Sequence, residues 1–303
     1  VVTTGDLDGI GLEVTLKALC DLPTTFKDRV TVYCGHTTPK FLTRLEAQAR
    51  KRFSPDRLTF VRSPLSPVEW VESATRLCLL GEADALVTAP LSKETIRASG
   101  RKHIGHTDIL KDLSGAKSVY MTFLGQHFNV LLATGHIPIR SVSSSLTPTR
   151  LKSAIQAAVD LRAQLPKALR AKPIAVVGLN PHAGENGLIG KEEAHVLAPA
   201  LRHFRRQNVV GPLVPDAAFL KSEWSRYSLY VCPYHDQGLI PFKLTHGHDE
   251  GVHLSFGLPF VRTSVDHGTA KNIFGKNKAR SGSMKDALLW AAELARKERP
   301  YGL

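Results

Sequence analysis

The feature that most constrains this chain is an alternation of short apolar runs with segments whose apolar residues recur at helical spacing. Val1 to Thr4 runs into the loop Gly5-Asp6-Leu7-Asp8-Gly9-Ile10-Gly11 and then a helical stretch through Glu13, Leu16 and Leu19. Val30 to Cys34, Leu58 to Val61 and Ala85 to Thr88 are further strand-like runs, with a helix over Phe41 to Ala49 between the first two. Another helix opens at Ser66-Pro67, where a hydroxyl N-cap precedes a proline at the first helical position. This rhythm predicts an α/β fold with a largely parallel sheet.

The middle of the chain changes character. Ser118 to Leu124 and Phe128 to Ala133, around Gly125-Gln126, predict an antiparallel hairpin of the kind found in a second lobe or a dimer arm. Thr147-Pro148 opens a helix with apolar Leu151, Ile155, Ala158, Val159 and Leu161. Two more strands follow, Ile174 to Leu179 and Leu229 to Val231. A chain of 303 residues exceeds the usual size of one core, so two domains are expected, with no repeat or linker to mark the boundary.

Composition narrows the function classes. The longest apolar candidate for a membrane span, Val119 to Ala133, is broken by Gln126, His127 and Asn129. The opening Val1-Val2-Thr3-Thr4-Gly5 has no basic-then-apolar leader, so the expectation is a start at a first strand rather than in a signal peptide. Cysteines at 20, 34, 78 and 232 form no CxxC pair, which suits reduced thiols and a cytoplasmic protein. A net charge of +13 suits an anionic partner, but the Lys and Arg are scattered and aromatics make up 7%, which argues for a small anionic molecule over nucleic acid.

The densest chemistry lies in Cys232-Pro233-Tyr234-His235-Asp236-Gln237-Gly238-Leu239-Ile240-Pro241-Phe242-Lys243. It places an imidazole, a carboxylate, an amide and an ammonium after a strand, at the end where open α/β sheets keep their ligands. His136 and His182 also lie just beyond strand-like runs, in Thr134-Gly135-His136 and Asn180-Pro181-His182. Strand ends on one side of a sheet converge, and three neutral imidazoles leave coordination positions open, as in a catalytic site for Zn²⁺, with Co²⁺, Mn²⁺ and Mg²⁺ as alternatives. Arg262-Thr263-Ser264-Val265-Asp266-His267-Gly268-Thr269-Ala270 follows another strand, with Gly268 free to approach a ligand. The loop Gly5 to Gly11 lacks the G-x-G-x-x-G spacing, so no Rossmann cofactor site is expected there.

Together, Gly105-His106-Thr107, Asn180-Pro181-His182-Ala183-Gly184-Glu185, Tyr234-His235-Asp236-Gln237-Gly238 and Leu258 to Ala270 resemble the 4-hydroxythreonine-4-phosphate dehydrogenase family of vitamin B6 biosynthesis, in order over nearly the whole chain. That resemblance implies the two-domain α/β/α architecture of isocitrate and isopropylmalate dehydrogenases, with the active site in the interdomain cleft. Residues 1–98 plus 269–303 would form one domain, and 99–268 the other, carrying the metal ligands and the dimer arm. It further implies a homodimer whose divalent-metal site is shared across the subunit interface. His136, His182 and His235 match the metal ligands, and His106, Thr107, Lys243 and Arg262 the substrate-binding positions. His267, Gly268, Thr269 and Ala270 resemble the adenine-side loop for NAD or NADP.

The implied reaction oxidises 4-phosphohydroxy-L-threonine to 2-amino-3-oxo-4-phosphooxybutanoate, a ketone β to a carboxylate, which loses CO₂ to give 3-amino-2-oxopropyl phosphate. Asp236 and Asp216 are candidate bases, and Lys243 is a further catalytic candidate. Two departures bear on the substrate. His253 stands where the family usually has an Asn, and it is expected to gain charge beside a phosphate; the Gly5 to Glu13 loop loses both family prolines. They leave room for a sibling acting on D-threonate or erythronate 4-phosphate. A metal-dependent hydrolase and a non-catalytic binding protein are the more distant alternatives.

Overall fold

The computed structural model describes residues 1–247 and 249–298, so His248 and the last five residues of the expected first domain lie outside it. The described strands are β1 (Val2–Thr3), β2 (Val30–Cys34), β3 (Leu58–Arg62), β4 (Ala85–Thr88), β5 (Tyr120–Leu124), β6 (Val130–Leu132), β7 (Ile174–Val177), β8 (Val209–Leu213), β9 (Leu229–Cys232), β10 (Val252–Phe256) and β11 (Val261–Val265). The chain divides into two compact units, Val1–Val119 with His248–Leu303, and Tyr120–Gly247.

In the first unit the strands run in the order β3-β2-β1-β4-β11-β10, parallel except for β10, which is antiparallel to β11. The boundaries expected from sequence assigned β10, β11 and the helix His106–Ser114 to the other domain. In the structure β11 is hydrogen-bonded in parallel to β4, with Arg262 opposite Leu86 and Ser264 opposite Thr88, which ties it to the first unit. The Ser66 cap is a complete capping box: its Oγ accepts from Glu69 N at 3.3 Å, and the Glu69 carboxylate accepts from Ser66 N at 2.8 Å. The helix it starts, Pro67–Leu79, buries Val68, Trp70, Val71 and Ala74.

The second unit has the order β5-β6-β9-β7-β8. The expected hairpin is β5 with β6, antiparallel, with Thr122 opposite Leu131. From β6 to β8 the strands are parallel, and β6, β7 and β9 are buried along their whole length, which is why they read as continuous apolar runs rather than alternating ones. Phe123, Phe128, Tyr230 and Phe242 form an aromatic core beneath the helix His235–His246. The helix Pro148–Gln164 starts as expected, with Thr147 Oγ1 accepting from Arg150 N at 3.1 Å, and it turns Leu151, Ile155, Ala158 and Leu161 inward. The four cysteines are free thiols. No helix among the described residues is long and apolar enough to cross a membrane.

The glycine at position 5 is required by packing. Its φ is +65°, and a Cβ there would lie 1.9 Å from the Pro90 carbonyl oxygen. At Gly268 a Cβ would meet no atom within 4 Å. Gly5→Ala should therefore lower stability by about 1–3 kcal/mol, while Gly268→Ala stays within about 0.5 kcal/mol of wild type. Urea unfolding midpoints of the two variants measure the difference, and equal midpoints would refute it.

Candidate active site

In the first unit, β1, β4 and β11 are adjacent and parallel, so the loops at their C-terminal ends meet. Asp6 N donates to Pro90 O at 3.1 Å, Ile10 N to Thr269 O at 3.0 Å, and Ser92 N to Asp6 Oδ1 at 3.1 Å. The buried Asp6 carboxylate lies 3.4 Å from Lys271 Nζ, which also reaches Asp8 at 3.0 Å. The gap between β1 and β4 is where the strand order reverses direction, the usual place for a ligand in an open α/β sheet. Gly5 of the glycine-bearing loop is used to pack this knot of loops. The loop His267 to Ala270 sits on it: His267 Nδ1 donates to Gly268 O at 2.9 Å, and Ala270, at φ 44°, is left-handed.

Below these loops lies Arg262 of β11, 2% exposed. Its Nη2 donates to Thr88 Oγ1 at 2.6 Å, and its Nη1 to Ser255 Oγ at 2.9 Å and His253 Nδ1 at 3.2 Å. None of these partners is a carboxylate, Nε has none among the described residues, and burial pulls the guanidinium down to about 9. A buried cation without a carboxylate partner favours an incoming anion. His253 Nδ1 also lies 3.3 Å from Ser264 Oγ, so its ring is held between β10 and β11 against the guanidinium.

His106 and Thr107 open the helix His106–Ser114, whose amide dipoles favour an anion at the same end. The His106 ring is half-buried and its Nε2 is sealed from solvent without a partner among the described residues. Burial first, and the Arg262 charge second, push it down to about 3.

In the second unit, β6, β9 and β7 are neighbours, and each of the three histidines follows one of them: His136 follows β6, His235 follows β9 and His182 follows β7. Thr134 Oγ1 donates to Pro233 O at 2.7 Å, and Gln237 Nε2 to Gly178 O at 2.6 Å, lacing the three strand ends together. The Gln237 amide is thus a tie between strands. The His136 and His235 rings have centroids 5.0 Å apart, and His235 Nδ1 is 2.9 Å from Asp236 Oδ1, which orients that ring. His182 stands on an exposed turn, 4.0 Å from Glu185. Among the described residues no three His, Cys, Asp or Glu come close enough to hold a metal. Lys243 lies on the last turn of the helix His235–His246, seven residues after Asp236 and so on the same face. Asp216 is exposed on the short helix Pro215–Ala218, which packs against the His182 turn.

That turn has φ between 42° and 81° at His182, Ala183, Gly184, Glu185 and Asn186. Left-handed backbone costs roughly 1–2 kcal/mol per non-glycine residue. The buried Glu193 holds it, with Oε1 accepting from Leu179 N at 2.8 Å and Asn180 N at 2.7 Å, and Oε2 from Asn180 Nδ2 at 2.9 Å. Beside it Glu192 accepts from Ser143 Oγ and Asn180 Nδ2, which hold its carboxyl down at about 2. Glu192, Glu193, Asp6 and Lys271 escaped the sequence reading because their partners are far along the chain; acidic residues opening a helix read as ordinary N-terminal charges.

The sequence model of the pyridoxal phosphate biosynthetic protein PdxA family matches residues 61–291. The chain is 45% identical over 226 residues to the 4-hydroxythreonine-4-phosphate dehydrogenase of Geobacter metallireducens, an alignment covering 74% of this chain and 66% of that protein. It is 36% identical to the D-threonate 4-phosphate dehydrogenase of Salmonella typhimurium, across 97% of this chain and 98% of that protein. The crystal structure of a 4-hydroxythreonine-4-phosphate dehydrogenase from Klebsiella pneumoniae superposes with a TM-score of 0.79 at 33% identity, covering 97% of each chain.

The depressed His106 has a consequence for stability. The unfolded chain takes up this proton near pH 6.5 and the folded chain only near 3, so stability is fully present above 6.5 and falls between these values as pH drops. The slope from this group is up to about 1.4 kcal/mol per pH unit. Urea denaturation at pH 6.5 and 5 should show a shallower loss in His106→Gln than in wild type, and identical slopes would contradict the assignment.

Proposed function

The chain belongs to the pyridoxal phosphate biosynthetic PdxA family, and from that membership we propose that it is an NAD(P)- and divalent-metal-dependent dehydrogenase converting 4-phosphohydroxy-L-threonine to 2-amino-3-oxo-4-phosphooxybutanoate, which decarboxylates to 3-amino-2-oxopropyl phosphate. The observation that carries this reading is the buried Arg262 guanidinium, held by two hydroxyls and an imidazole and flanked by a neutral His106. A phosphate or carboxylate supplies the charge that Arg262 lacks, and His106 and Thr107 add hydrogen bonds at the helix end.

The donor set fits a divalent cation in its chemistry. Asp236 engages His235 Nδ1, leaving Nε2 to ligate beside His136. In a homodimer with a shared site, as the family resemblance implies, His182 completes the set for the partner's pair. Exposed Ile139, Leu188, Ile240 and Leu244, near these histidines in sequence, are apolar surface for such an interface. The nicotinamide nucleotide fits the loop His267 to Ala270, where the open space at Gly268 lets a flat ring approach the backbone. When bound, the cation would supply a Lewis acid for the alcohol oxygen and the nicotinamide would accept the hydride. The protein orients the substrate through Arg262, His106, Thr107 and Lys243. With Asp236 occupied by His235, the Asp216 carboxylate, or Lys243 as its neutral amine, would receive the proton leaving the hydroxyl.

A second reading takes D-threonate 4-phosphate as the substrate. It is favoured by the full-length Salmonella relative of that name and by His253 against Arg262.

NADH formation on each substrate, with and without a divalent cation, tests both. We expect metal-dependent turnover of 4-phosphohydroxy-L-threonine, with KM raised roughly 10–100-fold in Arg262→Met. Turnover of D-threonate 4-phosphate alone would favour the second reading, and nucleotide-independent release of phosphate would contradict both. Mixing inactive His182→Ala and His235→Ala dimers should restore about a quarter of wild-type sites if the histidines are shared between subunits, and no recovery would refute the shared site.

A further inference from the structure

Residues 182–186 carry five consecutive positive φ values, four of them at non-glycine residues, yet most of the turn's side chains face solvent. Burial therefore does not hold this backbone in place. Apart from Gly184, buried against Glu193, the turn is tied by few bonds: Ala183 N to Asn180 O at 3.1 Å, Leu188 N to Glu185 O at 3.2 Å and Ile189 N to Gly184 O at 3.1 Å. The strongest restraint comes from outside it. One carboxylate, Glu193, gathers two successive backbone amides and a side-chain amide immediately before His182. Its Oε2 also lies 2.7 Å from where a Cβ on Gly184 would be, so the carboxylate and the glycine fit only in this arrangement. Glu193 opens the π-helix Glu193–Leu197, a rare backbone form found disproportionately at functional sites. Glu192 extends the restraint, joining Asn180 to Ser143 in the segment that follows His136.

We propose that Glu193 is a positioning residue: it holds the left-handed turn that presents His182 and so sets how tightly the histidines bind a divalent cation. This rests on the reading of His182 as a metal ligand. Glu193 does not touch the imidazole, and its effect passes through the backbone of Leu179 and Asn180.

The test uses Co²⁺ binding by calorimetry to metal-free full-length protein, alongside amide hydrogen exchange. Glu193→Ala should weaken Co²⁺ binding by about 10–100-fold, the range for residues that support a ligand. Leu179 and Asn180 amides should exchange faster in it before any metal is added, while those of Ala175 and Val176 in β7 keep their wild-type protection, which marks the fold as intact. Glu193→Gln keeps one acceptor oxygen for the two backbone amides but turns an NH₂ toward Asn180, so it should fall between Ala and wild type, and it serves alone if the alanine variant does not fold. Faster exchange with Co²⁺ affinity within about twofold of wild type, or unchanged exchange at Leu179 and Asn180, would overturn the proposal. His182→Ala separates the two failures. If that variant binds Co²⁺ as wild type does, the metal reading falls and takes this inference with it; if His182 matters and Glu193 does not, this inference alone falls.

Discussion

The parallel pairing of β6, β9 and β7 is the constraint on which the placement of the second unit's histidines depends. Parallel neighbours end on the same side of a sheet, so three histidines far apart in sequence follow strand ends at one edge because of strand direction. These strands are buried on both faces, so a one-residue shift would exchange the side chains packed against two covered faces. The ties Thr134 to Pro233 and Gln237 to Gly178 then stiffen the ends where the histidines begin. The first unit repeats the principle with β1, β4 and β11, whose loops are joined through Asp6, Pro90 and Thr269.

Much of this was legible because it is local or periodic. Ser66 and Thr147 before prolines mark helix starts through a hydroxyl that accepts a backbone N–H within three residues, and the structure makes both bonds. The histidines were legible because each follows a buried apolar run. What stayed hidden depends on distant pairs. Glu193 accepts the backbone amides of Leu179 and Asn180, more than a dozen residues earlier, and Asp6 meets Lys271 from the far end of the chain. The left-handed Ala270 was hidden for another reason: alanine does not favour that conformation, and Thr269 O beside it accepts from Ile10 N at the far end of the chain. The boundary between units was missed because β11 belongs where it pairs, beside β4, and no linker composition records that.

The two units contribute different electrostatics. Arg262 is a buried cation held by two hydroxyls and an imidazole, and burial together with its charge keeps His106 beside it neutral. In the second unit the His136 and His235 rings lie 5.0 Å apart, and Asp236 Oδ1 holds His235 Nδ1 at 2.9 Å.

The most direct measurement is anomalous scattering from crystals of the protein loaded with Zn²⁺ or Co²⁺. The account predicts one peak per subunit, about 2.0–2.1 Å from nitrogens of His136, His235 and a His182, with the last belonging to the symmetry-related chain. A peak held by other residues, or crystals that take up no metal at these histidines, would contradict it.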